Sequence, residues 1–205
     1  MITKERTILE PFAVQPWRKF TFREVKTLSK NTSDNYVHTC LKRFVQDNIL
    51  SVKRVGNCLT YSLNNSFICL NTFGFLAEYK TSTAKHLPLK NIQTLIDKIR
   101  TFFISVIITG SFAIVKQKKT SDLDIVLICD DANDPDSILA QIKLESELML
   151  PEVHPFVFTQ EQFYSMLIAK EENYGKEIAR KNLIVSGGSA YYSIVLEAIK
   201  HGFTG

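Results

Sequence analysis

The stretch that decides the reading is GSFAIVKQKKTSDLDIVLI, Gly110 to Ile128. Just before it, Phe103–Thr109 (FISVIIT) is a near-continuous β-branched run, the mark of a strand buried on both faces. That run leads straight into Gly110–Ser111. Ten residues after Ser111 come Asp122–Leu123–Asp124, and then a second apolar run, Ile125 to Ile128. Positions two apart on a strand share a face, so Asp122 and Asp124 point the same way. Adjacent carboxylates repel unless a cation lies between them, which makes the pair a holder for Mg2+ or Mn2+. Gly110 lets backbone approach a ligand closely, and the N–H of Ser111 at a helix start can take a phosphate oxygen. A metal site beside a phosphate cradle is the apparatus of nucleotidyl transfer from an NTP.

With Ser121 standing before the first aspartate, this segment resembles the signature of the DNA polymerase beta superfamily in its minimal nucleotidyltransferase branch. The resemblance spans about residues 88–170. It implies that Asp122 and Asp124 are the catalytic, metal-binding carboxylates and that Gly110, Ser111 and Ser121 contact the nucleotide. It also implies a third acid on a later strand. Here that strand reads Glu152–Phe158 (EVHPFVF), and His154 stands where the third carboxylate belongs. Glu152 shares its face roughly 7 Å away. An imidazole adds no negative charge toward a cation, which leaves binding intact but puts turnover in question. A lone strand histidine is most simply a packed residue.

Residues 1–65 carry a different pattern. Ile8, Leu9, Phe12 and Ala13 mark a helix over residues 3–13, ending before Pro16. Thr21 with Glu24 is a capping box for a second helix that buries Phe22, Val25 and Leu28. Ser33 or Asp34 caps a third, with Val37, Cys40, Leu41, Phe44 and Val45 on its apolar face. The runs ILSVKRV and CLTYSL flank Gly56–Asn57 as a hairpin, with Leu59, Tyr61 and Leu63 facing inward. Three helices and a hairpin resemble the winged helix-turn-helix of transcription regulators. The resemblance implies binding to double-stranded DNA, with the third helix in the major groove. Asn35, His38 and Thr39 would then reach base edges, and Lys42, Arg43, Lys53 and Arg54 would sit on phosphates. The competing reading is a solvated helix face on a winged helix that docks protein instead.

Composition agrees with two modules. The 205 residues are 45% apolar and 22% charged, ordinary globular usage. Residues 1–65 hold eleven Lys/Arg against five Asp/Glu, whereas residues 101–205 hold nine against fourteen, so a basic front precedes an acidic back. No apolar run reaches the ~18 residues of a membrane span. The first residues lack an apolar signal core, which points to the cytoplasm. Cys40, Cys58, Cys69 and Cys129 stand apart, suggesting neither zinc nor disulfides.

Residues 66–87 read as a connector, with an element around Phe67–Tyr79 and a polar linker at Thr81–Lys85. Leu89, Ile92, Leu95, Ile96 and Ile99 mark an amphipathic helix opening a transferase-like domain over 88–205. Lys176, Arg180 and Lys181 read as a solvated helix face, and Gly187–Gly188 starts a last helix burying Tyr191, Ile194, Val195 and Ile199. KEIARKN and AYYSIVLEAIKHGF resemble the C-terminal helical pair of archaeal proteins that join a winged helix to a nucleotidyltransferase domain. The expected fold is α/β in the broad sense (α+β), a winged helix ahead of a small mixed sheet with helices. The expected function is Mg2+-dependent nucleotidyl transfer from an NTP to a macromolecular acceptor. The alternatives are a DNA-binding regulator whose back module senses nucleotide, and an antitoxin-like transferase that modifies a protein, since such antitoxins share the Gly-Ser, ten-residue, Asp-x-Asp spacing. A homodimer is compatible with all three.

Overall fold

Thr21 makes the capping box that its spacing to Glu24 predicts: its hydroxyl accepts from the Glu24 N–H, and the Glu24 carboxylate accepts from the Thr21 N–H at 2.8 Å. Around this point the computed structural model, which describes residues 5–99 and 103–205, builds three helices and a hairpin. These are α1 (Arg6–Val14), α2 (Phe22–Leu28) and α3 (Asp34–Gln46), with strands β1 (Phe20–Thr21), β2 (Leu50–Val55) and β3 (Cys58–Leu63). Residues 3–4 of the first expected helix and Phe102 lie outside the described residues. The order β1-β3-β2 is antiparallel throughout, and Val55 pairs with Cys58 across the two-residue turn. Pro11 sits inside α1, which ends at Val14, before Pro16, as expected. Of the residues assigned inward, Val25, Tyr61 and Leu63 are buried, whereas Leu28 and Leu59 are about half exposed and Phe22 only packs partly.

The expected connector is instead a central helix. Phe67–Ser82 forms one 16-residue helix, α4, whose Ser66 side chain caps Cys69 N. It is apolar around most of its circumference and so gives no amphipathic period to read. Cys69, Phe73 and Leu76 are buried between the front helices and the last helix of the chain. Gly74 lies against Gly188 so closely that an added Cβ would stand 2.5 Å from Ser189 N.

The rest is helix α5 (Leu89–Lys98), strand β4 (Phe103–Ile108), short helix α6 (Gly110–Ala113), β5 (Leu123–Cys129), α7 (Pro135–Ser146), β6 (Val153–Thr159), α8 (Gln160–Ile168), α9 (Tyr174–Arg180), β7 (Leu183–Ser186) and α10 (Gly188–Lys200). The four-stranded sheet runs β6-β5-β4-β7, with β5 and β6 parallel and the other pairs antiparallel. Alternation along β4 and β5 sends Val106, Ile108, Ile125 and Leu127 toward Ile92 and Leu95 of α5 and Ile138 and Ile142 of α7. Ile107, Val126 and Ile128 face the other way, into a core shared with Tyr191, Tyr192, Phe73, Phe12 and Leu41. That second core runs unbroken from the sheet into the N-terminal helices and hairpin. The fold is α+β, and among the described residues no helix is long and apolar enough to cross a membrane.

Candidate functional site

β4 ends where β5 begins, because the two are antiparallel with Ile108 opposite Ile125. One step further, Thr109 N–H donates to the Asp124 carbonyl at 3.1 Å, so Gly110 lies directly beside Asp124. Gly110 adopts φ +64°, and a Cβ there would stand 2.0 Å from Asp124 Oδ2. Glycine is required twice over, by the left-handed backbone and by the carboxylate packed on it. The Thr109 hydroxyl donates to the Lys181 carbonyl at 2.8 Å and ties the end of α9 to the same edge of the sheet.

β6 adds the third element. Its parallel register sets His154 opposite Asp124, and Leu123 N–H donates to the Glu152 carbonyl at 2.7 Å. His154 Nε2 is 3.8 Å from Asp122 Oδ2 and Nδ1 is 3.8 Å from Asp124 Oδ1. Asp122 lies just ahead of β5, not within it, yet the shared imidazole shows that both carboxylates face one side. The expectation of a packed histidine is corrected: His154 is half exposed and is the nearest basic group to both acids.

The site is short of positive charge. Burial raises the Asp124 carboxyl above its ordinary value, opposed by His154 and reinforced by Asp122 and Glu177. Tyr174, tilted at 49° against Phe156 with centroids 4.7 Å apart, is pushed up in turn by burial and by the charges of Asp124 and Glu177. Glu177 on α9 is thus an acid that sequence spacing did not single out, since its proximity arises only when α9 packs beside the sheet. Its carboxylate pairs with Lys181 at 3.3 Å. The Glu152 side chain makes no hydrogen bond or ion pair among the described residues and is exposed. Lys176, expected on a solvated face, is buried, and its ammonium donates to the Lys170 carbonyl at 3.3 Å. Arg180 is held bidentately by Glu172 at 2.7 and 2.8 Å.

Ser111 lies in α6, and its carbonyl accepts from Lys116 N–H at 2.9 Å. The Ser121 hydroxyl accepts from Lys118 N–H at 2.8 Å, so it braces the loop between the two motifs. That loop exposes Lys116, Lys118 and Lys119. The three lysines were legible in the segment but carry no fixed spacing that marks them. Val115, β-branched and at φ +57°, bends the loop's start at a conformational cost.

The two carboxylates suit a hard divalent cation that completes its shell with water and phosphate oxygens, as Mg2+ does, whereas the imidazole beside them is a ligand type for softer transition metals. Among the described residues no three His, Cys, Asp or Glu side chains form a ready-made cage. A partly open cavity of about 240 Å3 lies elsewhere, between α1, α4, α6 and β7, lined by Arg6, Lys80, Ile114 and Tyr192. A polyphosphate with its cation calls for charge and solvent access, so the open carboxylate edge is the candidate site.

In the N-terminal helices and hairpin, Asn35, Thr39 and Lys42 of α3 and Lys53 and Arg54 of β2 are exposed, and their side chains make no hydrogen bond or ion pair among the described residues. Two others are already engaged. Arg43 pairs with Glu5 and lies 3.9 Å from Asp47, and the His38 ring stacks on Phe22 at 3.8 Å and 12°. Comparison of the chain with protein-family models, curated proteins and solved structures found no match.

Proposed function

We propose that residues 88–205 bind an NTP with a divalent cation at the β4–β5 edge and transfer its nucleotidyl group to a macromolecular acceptor, while residues 1–65 engage double-stranded DNA. The observation that carries the reading is the packing of the Asp124 carboxylate on the Gly110 backbone, which brings the Gly-Ser turn against the carboxylate pair. Asp122 and Asp124 would hold the cation, which supplies charge neutralisation for the phosphates. The backbone at Gly110–Ser111 and Lys116, Lys118 and Lys119 bind phosphate oxygens. The acceptor oxygen bonds to the α-phosphorus, the bond to pyrophosphate breaks, and the acceptor's proton leaves to a base. His154, within reach of both aspartates, is the side chain placed to take it.

A second reading is a DNA-binding regulator that senses nucleotide without turnover. His154 favours it, because neutral imidazole contributes no charge toward the cation. Incubation with labelled NTPs, Mg2+ and DNA or protein acceptors separates the two. Transfer by the wild type that is lost in His154→Ala supports the enzyme. Binding without transfer, with tighter Mg2+ binding in His154→Asp, supports the sensor. Transfer indifferent to His154 would move the base elsewhere, with Glu177 the nearest acid to examine.

A further inference from the structure

The cavity between α1, α4, α6 and β7 is set apart from the carboxylate edge, since neither Asp122 nor Asp124 lines it. Much of its wall is apolar, built from Leu76 and Ala77 of α4, Ile184 of β7 and the Tyr192 ring of α10. At about 240 Å3 it exceeds the ~150 Å3 that admits benzene, and it scales to an occupant of about ten non-hydrogen atoms.

The neutral polar groups on its wall are already used. The Asn182 amide nitrogen donates to the Ile178 and Ala179 carbonyls, the Thr83 hydroxyl to the Tyr79 carbonyl and the Tyr192 hydroxyl to the Ala13 carbonyl. A water needs two to four polar partners, so such a wall is poorly suited to holding water alone.

The charges on the wall do not balance. Five ionisable side chains line it: Arg6, Glu10, Lys80, Arg180 and Lys181. Two are neutralised by acids outside the cavity, Arg180 by Glu172 and Lys181 by Glu177. Arg6, Lys80 and Glu10 form no ion pair among the described residues. The Arg6 guanidinium lies over the ring of Tyr79, the residue before Lys80, at 5.3 Å from its centroid. Both free cations therefore stand on the α1–α4 side. Set against Glu10, they leave one positive charge without a counter-ion. Next to an apolar wall, a charge-assisted contact to that excess is stronger than in open water.

We propose that this cavity binds a small aromatic monoanion, with its carboxylate between Arg6 and Lys80 and its ring against Leu76, Ala77 and Ile184. Inorganic phosphate would leave the apolar wall uncovered, and a neutral ring would leave the charge unmet. Arg6 belongs to the N-terminal helices, whereas Ala113 and Ile114 close the turn that begins at Gly110, and both line the cavity. The occupant thus touches both parts of the chain at once. The site stands whether or not the carboxylate edge takes a nucleotide.

Fluorine NMR titration of 4-fluorobenzoate into the full chain tests it. Binding should saturate with a Kd of about 1 mM or tighter. The neutral 4-fluorobenzyl alcohol, of similar shape, should bind at least about tenfold more weakly. Arg6→Gln with Lys80→Gln should weaken fluorobenzoate binding at least about tenfold and leave the alcohol unchanged. Ala77→Phe, which fills the cavity, should remove binding of both. No saturation of the wild type at ~10 mM, tenfold above the expected Kd, would overturn the proposal. Equal affinity for the alcohol, or unchanged fluorobenzoate binding in the paired glutamine variant, would overturn it too. Ala77→Phe that keeps its thermal transition and binds as the wild type does would place the probe elsewhere and count equally against it. If that variant does not fold, the paired glutamines decide the matter alone.

Discussion

Gly110 concentrates the site in one residue. Its φ of +64° and the Asp124 carboxylate packed over it both exclude a side chain. Gly110→Ala should cost about 1 kcal/mol of stability from the left-handed backbone. It should cost more in function, because the methyl displaces Asp124, and Mg2+-dependent NTP affinity should fall at least about tenfold, the equivalent of ~1.4 kcal/mol. Urea denaturation and calorimetric titration measure the two effects separately. His154 marks where sequence reasoning reached its limit. Its place on the strand where the family resemblance implies a third acid was legible in the sequence. Its orientation toward both aspartates was not, because that depends on the parallel register of β5 and β6.

Among the elements, those with local signals were readable and those defined by packing were not. Caps, a turn pair and helical spacing announced α2, α3 and the β2–β3 hairpin. α4 lacked a period because it is apolar on its core side and on its exposed side alike. β7 is four residues long, too short to stand out, and is a strand because it pairs with β4. Two predictions follow from element contacts. Thr21→Ala removes the cap of α2 and should cost about 1 kcal/mol in denaturant unfolding. The Glu24 carboxyl is held below its ordinary value chiefly by the Thr21 N–H, then by the Thr21 hydroxyl and Arg18. A depressed folded value means that the unfolded chain binds the proton more readily. That contribution is present at neutral pH and is lost as pH falls below about 5 and through the folded value. Stability of Glu24→Gln should therefore depend less steeply on pH on the acid side, as read from urea midpoints.

At the scale of the molecule, the basic front and acidic back are two modules by sequence but share one core. Tyr192 of α10 donates to the Ala13 carbonyl at 3.0 Å, and the Glu78 carboxylate of α4 accepts from Gly188 N–H at 2.7 Å. Heat should unfold the chain in one transition seen alike by far-UV signal and by calorimetry. Gly74→Ala, which forces a Cβ onto the backbone of α10, should lower that single transition by about 2 kcal/mol without splitting it. Two separated transitions in the wild type would contradict the shared core. If the proposed duplex binding holds, Lys53→Ala with Arg54→Ala should weaken binding to any duplex and reduce the salt slope by up to ~2. Filter binding over a range of salt reads both.

The central claim is that Asp122 and Asp124, beside Gly110 and Ser111, hold a cation and its nucleotide. Calorimetric titration of NTP into the full chain, with Mg2+ and with chelator, tests it most directly. The account predicts saturable binding that needs Mg2+ and disappears in Asp122→Asn with Asp124→Asn, while the thermal transition of that double variant persists. Equal NTP affinity in the wild type and the double variant, or binding that is indifferent to Mg2+, would contradict it.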